Sequence, residues 1–148
     1  MKKTTIFGLG TILVIIDQII KYVVVRNLAV NDTIPILKNS IELTFVKNTG
    51  AAFSILTNAT WLITALSVTV FIFLIYYIRK EEKTTKSMGV IFSLLIGGIL
   101  GNIIDRIRLG YVIDYVSIGR FPIFNFADSC IVIGMVLMII VVIRGEKK

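Results

Sequence analysis

Four long apolar runs, near Ile6–Val25, Ala59–Ile78, Met88–Asp105 and Phe126–Ile143, dominate the chain and are separated by shorter polar or mixed stretches. A helix needs about 20 residues to cross a hydrocarbon core of about 30 Å, so each run is long enough, or nearly so, to span a membrane. The first run follows a basic tip, "MKKTTIFGLGTILVII", and could pass for a secretory signal peptide. No convincing small-x-small cleavage site follows it, so a retained helix is expected. Between the first two runs the pattern changes. Ile41, Leu43 and Phe45 alternate with Glu42 and Thr44, a period of two that indicates a strand with one apolar face. The stretch "TIPIL" precedes it and "KNS" at 38–40 supplies turn residues, which predicts a hairpin within a β segment over about 32–54. "NTG" at 48–50 then breaks the strand, and "AAFSIL" reads as a short interfacial segment. "YVIDYVSIGRFP", between the last two runs, is too short to cross and is expected to be a loop at the bilayer surface.

Composition agrees with this reading. Of 148 residues, 56% are hydrophobic, more than one water-soluble core of this size can hide. The formal charge of +7 could suggest nucleic acid, but its placement argues for topology instead. Lys2 and Lys3, the segment "RKEEKTTK" (79–86) and the closing "RGEKK" hold 9 of the 16 Lys and Arg residues. By the positive-inside rule both termini and the 79–86 loop are cytoplasmic, and the segments at about 26–58 and 106–125 face outward. Trp61, Tyr76 and Tyr77 fit aromatic belts at the two ends of the second span. That span carries no charge and reads as lipid-facing structure.

The chain has no histidine and one cysteine, Cys130. Ser-His-Asp and Cys-His machinery, His-ligated haem and the usual zinc sites are therefore excluded, as is an internal disulfide.

Ionisable residues inside a span cost roughly 2.5–3.5 kcal/mol at the bilayer centre, and here they all fall toward the outer side. Asp17 and Lys21 share a helical face in the favourable acid-before-base order, which reads as a structural ion pair. In "GGILGNIIDRIRLG", Gly97 and Gly101 let another helix approach closely, and Gly97, Gly98 and Gly101 would open room along the third span, although helix packing explains all three equally well. Asn102, Asp105 and Arg106 follow as a polar cluster in the last turn. Asn125 and Asp128 open the last span, where an N-cap and an N3 acid would sit. Asp114 lies in an apolar segment, so desolvation should raise its pKa. Asp114 and Asp128 are close enough in sequence for a closed loop to unite them. Two such carboxylates share a proton, and one can deprotonate a water while the other donates to a carbonyl oxygen or leaving amine. Asp105 competes for one place in the dyad. Arg106 beside it and Asn102 a turn back should keep it ionised, so Asp114 with Asp128 is the preferred pair. A Ser–Lys peptidase, using Ser54 or Ser129 with Lys21 or Lys47, and a proton-coupled carrier are the competing readings. No acid occupies the inner half of any span, which argues against the carrier.

These motifs resemble those of bacterial lipoprotein signal peptidases (signal peptidase II) along nearly the whole chain. "DQIIK" (17–21), "KNTGAAFS" (47–54), "GGILGNIIDR" (97–106), "VID" (112–114) and "FNFAD" (124–128) are similar to the family motifs and occur in the family order. The resemblance implies a membrane all-α core: a four-transmembrane-helix bundle with a small extracytoplasmic β-cradle and a flap-like surface segment, as one domain over residues 1–148. It implies an aspartic endopeptidase that removes the signal peptide of diacylglyceryl-modified prolipoproteins, cutting before the lipidated Cys. Asp114 and Asp128 would be catalytic. Asn48, Gly50, Asn102, Asp105, Arg106 and Asn125 would bind substrate or shape the site, and Asp17 with Lys21 would be a structural pair. No cofactor or metal is expected. Expected partners are prolipoproteins, membrane lipids and globomycin-type inhibitors, with the protein a monomer in the bacterial cytoplasmic (inner) membrane and its site toward the extracytoplasmic face. The connector "YVSIGRFPIFNF" is shorter than in many relatives of that family.

Overall fold

A computed structural model describes residues 1–37, 40–50 and 60–145. Four helices carry the apolar runs: α1 (Lys3–Asn27), α2 (Thr60–Lys80), α3 (Lys86–Leu109) and α4 (Phe126–Ile143). Each is long and apolar enough to cross a membrane. The predicted spans are thus recovered, with α1 and α3 running a few residues beyond the apolar limits. At α3 the Thr85 hydroxyl caps the start, accepting from the Met88 N–H, and Gly110 closes the end in the left-handed conformation at φ 80°, where a residue with a Cβ would be strained.

Helix α3 is the hub and packs against α1, α2 and α4. Its glycines explain how. A Cβ on Gly97 would run into Leu13 of α1, one on Gly98 into the Ala127 carbonyl oxygen and Ile131 of α4, and one on Gly101 would lie 2.6 Å from Asp17 Oδ2. Of the two readings of these glycines, the packing one holds and the open-room one does not: neighbouring helices fill the space, as close small-residue packing allows. Helix α2 buries only Ile78 and leaves Trp61, Leu66, Ile72 and Phe73 exposed, in keeping with a lipid-facing span. Ile6, Ile78, Phe92 and Ile96 form the apolar core at the end of the bundle where α1 begins.

At the other end lies a three-stranded antiparallel sheet in the order β1-β2-β3. The hairpin of β1 (Thr33–Leu37) and β2 (Ile41–Asn48) matches expectation. The segment after α3 does not: residues expected to form a surface loop make a third strand, β3 (Val112–Ile118), paired with β2. Val112, Ile113, Asp114 and Tyr115 are all buried, so no alternation marks this strand in the sequence. Val24 and Leu28 of α1 pack with Phe45, Ile113 and Tyr115, which fixes the sheet on the bundle end. Strand β2 carries one extra residue between Leu43, opposite Val116, and Val46, opposite Asp114. It is a β-bulge, and Thr44 and Phe45 are consequently both buried. The predicted interfacial segment "AAFSIL", Ser54 within it, and most of the "KNS" turn lie outside the described residues.

Candidate active site

The polar residues singled out in the sequence converge where the sheet meets the bundle. Asp114 stands on β3 and is 2% exposed. Val46 lies opposite it across the ladder, so Asn48, two residues further along β2, shares its face. Asn48 Nδ2 donates to Asp114 Oδ2 at 2.8 Å, and Asn125 Nδ2 donates to Asp114 Oδ1 at 2.7 Å. Burial, reinforced by the charge of Asp128, pushes the Asp114 carboxyl from its ordinary 3.8 up to about 6, against the opposing pull of those two amides and of Lys21. Desolvation likewise raises the Tyr115 phenol beside it.

Asp128 enters from the first turn of α4. Asn125 and Asp128 form a capping box: the Asp128 N–H donates to Asn125 Oδ1 at 2.8 Å and the Asn125 N–H to Asp128 Oδ2 at 3.2 Å. Asn102 Nδ2 takes the other carboxylate oxygen, donating to Asp128 Oδ1 at 2.7 Å. Asp128 is half-buried, more accessible than Asp114. Asn125 thus touches both carboxylates at once and holds them on either side of itself. Helix capping and placement of the acid are one arrangement here rather than alternatives.

The helix start is held from three directions. The Phe126 N–H donates to the Tyr115 hydroxyl at 3.0 Å, the Ala127 N–H to Asp17 Oδ1 at 3.1 Å, and the Asp128 N–H to the Asn125 side chain. These amides would be orphans in an isolated helix.

Behind the two carboxylates lies a buried ionic cluster. Lys21 Nζ is 2.8 Å from Asp17 Oδ2 and 2.8 Å from Asp105 Oδ2. The Asp17–Lys21 pair is as expected. Asp105 is a correction: it pairs with Lys21 rather than with Arg106, and it also accepts the Ile113 N–H at 3.2 Å. The physical reason is that α3 continues past it to Leu109, and adjacent helical positions point about 100° apart. Asp105 therefore faces the interior at 2% exposure while Arg106 is half-buried, within electrostatic reach of Asp128, Asp114 and Asp105. Gln18, inside the "DQIIK" motif but not singled out, donates to Asp105 Oδ1 at 3.0 Å, Asp17 Oδ2 at 3.2 Å and the Gly101 carbonyl at 3.3 Å. A lone amide in an apolar helix, next to a buried acid, was the available signal. Gly50 donates its N–H to Asn48 Oδ1 at 3.1 Å, which turns the Asn48 amide nitrogen toward Asp114. Ser129 donates to the Asn125 carbonyl at 3.1 Å, so neither it nor Lys21 is arranged as a Ser–Lys pair.

Four membrane-length helices capped by a small sheet, with a carboxylate cluster where they meet, define a multi-pass membrane protein carrying a polar site at one end of its bundle. The sequence model for signal peptidase (SPase) II matches residues 9–144, and the chain belongs to the signal peptidase II family. A lipoprotein signal peptidase of Halothermothrix orenii is 42% identical over 139 residues, which cover 92% of this chain and 93% of the relative. A bacterial membrane enzyme solved by the in meso method at 2.3 Å resolution superposes with a TM-score of 0.90 at 32% identity, covering 98% of this chain and 91% of the other. A second, solved by the same method at 1.9 Å, gives a TM-score of 0.85 at 33% identity, with 95% and 93% covered. The chain is accordingly a membrane peptidase.

Proposed function

We propose that Asp114 and Asp128 are the catalytic dyad of an aspartic endopeptidase acting on diacylglyceryl-modified prolipoproteins. The observation that carries this reading is the Asn125 side chain and backbone joining both carboxylates at the bundle end. Its chemistry needs no other nucleophile. One carboxylate takes a proton from a water as the water oxygen attacks the scissile carbonyl carbon, and the protonated partner donates to the carbonyl oxygen. The tetrahedral diol collapses when the protonated carboxyl gives its proton to the amide nitrogen, which leaves as an amine, while the other carboxylate takes a proton from a diol hydroxyl as the product carboxylic acid forms, so the dyad ends singly protonated. A carboxyl raised to about 6 by burial and a like charge can hold that proton near neutrality.

Asn48, Gly50, Asn102 and Asn125 set the two carboxylates, and Arg106 supplies a half-buried cation to a substrate carbonyl. Asp105 supports the site through Lys21. The scissile bond lies on the N-terminal side of the lipidated Cys. A site at the end of the bundle lets the diacylglyceryl chains stay in hydrocarbon while the peptide bond reaches the acids. The basic segments at the opposite end (Lys2, Lys3 and residues 79–86) support cytoplasmic termini and a site on the extracytoplasmic face of the bacterial cytoplasmic membrane. Residues 1–148 act as one domain and as a monomer, and globomycin-type inhibitors compete for the substrate site.

Turnover of a lipid-modified prolipoprotein by purified protein in detergent tests this. Asp114→Asn and Asp128→Asn should each abolish cleavage in a folded protein, and cleavage should persist with chelator. An inactive Asp105→Asn beside an active Asp114→Asn would overturn the assignment of the dyad.

A further inference from the structure

Each asparagine around the two carboxylates has its amide oriented by a donor on its oxygen side. Asn48 Oδ1 receives the Gly50 N–H, and Asn125 Oδ1 receives the Asp128 N–H. Asn102 differs, because part of its orientation comes from an ammonium 81 residues away. Lys21 Nζ donates to Asn102 Oδ1 at 3.1 Å. Asn125 Nδ2 adds a weaker contact to the same oxygen at 3.2 Å. An ammonium has three donors and no acceptor, so only the amide oxygen can face it. The Asn102 nitrogen is thereby turned onto Asp128 Oδ1. Lys21 is itself tied on every side: it is 1% exposed, and Asp17 and Asp105 take its other two N–H groups.

We infer that Lys21 is a positioning residue for the peptidase reaction, holding the Asn102 amide so that it presents its N–H to Asp128. This gives the Asp17–Lys21 pair a task beyond tying helices together, and it rests on the dyad reading of the preceding section. A purely structural pair would need only its two carboxylates; the third N–H of the ammonium is spent on the side chain that touches Asp128. The same cation reaches Asp114 through space, where its charge opposes the upward push of burial and of Asp128. The other charged or titratable groups around the pair are Arg106 and Asp105 on α3, Asp17 on α1 and Tyr115 on β3.

Two variants separate the parts of this role. Lys21→Met removes donor and charge, while Lys21→Gln removes the charge but keeps an N–H that can turn to Asn102 from one bond nearer the backbone. Cleavage of a lipidated prolipoprotein is followed from pH 5 to 9, with kcat and KM resolved and folding checked by thermal melting. Lys21→Met should lower kcat about tenfold or more, in the range for misaligned acid–base groups, with KM within twofold. Lys21→Gln should recover most of that loss. In both variants the basic limb of kcat should move to higher pH, because the lost cation no longer helps Asp114 release its proton. A stability role alone would reduce the active fraction without moving the limb or separating Met from Gln. Lys21→Met/Asp17→Asn provides a second background with one buried carboxylate fewer, in which an amide oxygen can still accept the Ala127 N–H. The inference is overturned if folded Lys21→Met keeps kcat within twofold, if Met and Gln fall equally with an unmoved limb, or if no chain lacking Lys21 folds in either background. Asp114→Asn and Asp128→Asn, measured alongside, report on the dyad itself. Their retained activity would refute the dyad, whereas their loss together with an indifferent Lys21 would refute only this inference.

Discussion

Replacing Asp114 with asparagine should make the protein more stable at pH 8 while abolishing its activity. The carboxyl is 2% exposed and titrates at about 6 rather than 3.8. Between these values the folded protein retains a proton that the unfolded chain releases. Stability therefore falls as pH rises through this window, and the full penalty is present above it. A shift of roughly two units corresponds to about 3 kcal/mol. Asparagine removes that penalty but cannot accept from both neighbouring amides. Its own nitrogen would face either Asn48 Nδ2 or Asn125 Nδ2, and losing one such bond costs about 1 kcal/mol. The net gain at pH 8 is about 2 kcal/mol, which corresponds to a rise of about 4–8 °C in Tm for a chain of this length. At pH 4 the penalty is gone and the lost bond remains, so the variant should melt below wild type. Thermal melting in detergent at pH 4, 6 and 8 reads the crossing directly. A Tm difference that does not change with pH, or a wild type that gains on the variant as pH rises, would refute the account of Asp114 as a carboxyl raised by burial and a neighbouring charge.

Two further outcomes follow from the packing. Gly98→Ala places a Cβ against the Ala127 carbonyl oxygen, a backbone atom that cannot swing aside; α3 and α4 must separate, and kcat for prolipoprotein cleavage should fall at least tenfold as Asn102 draws back from Asp128, whereas Gly8→Ala, with nothing within 4 Å, should leave it unchanged. Asp17→Ala removes one partner of the buried Lys21 and the acceptor of the Ala127 N–H, so a loss of about 3 kcal/mol is expected, measurable as a fall in Tm; a variant melting within 1–2 °C of wild type would show that Asp105 alone neutralises the cation.

The four spans were legible as long apolar runs, and the hairpin as a period of two beside turn residues. Strand β3 was not, since both of its faces are covered near Asp114 and alternation disappears where a strand is buried on two sides. The identities of the polar site residues could be read from their cost inside apolar segments. Their partners could not. Asp105 and Arg106 are neighbours in sequence and diverge in space, whereas Lys21 reaches Asp105 and Asn102 across more than 80 positions. Asp114, without an adjacent base, looked unpartnered in sequence, yet receives amides from β2 and from the start of α4. Contacts between elements set this chemistry, and no local pattern encodes them.

The extra residue in β2 changes the parity of everything after it. If β2 kept all its residues but paired one to one onward from Leu43 and Val116, Phe45 would stand opposite Asp114, and Lys47 rather than Asn48 would project on the acid's side of the sheet. A primary ammonium there would clamp Asp114 in its charged form, and a dyad with both members ionised has no proton to lend. As built, Lys47 points outward over the Tyr111 ring, 4.9 Å from its centre, and a neutral carboxamide takes the inner place. Deleting either Thr44 or Phe45 would close the bulge and still leave Val46 opposite Asp114, so what keeps the ammonium away from the proposed pair is the match between one surplus residue and one bulge.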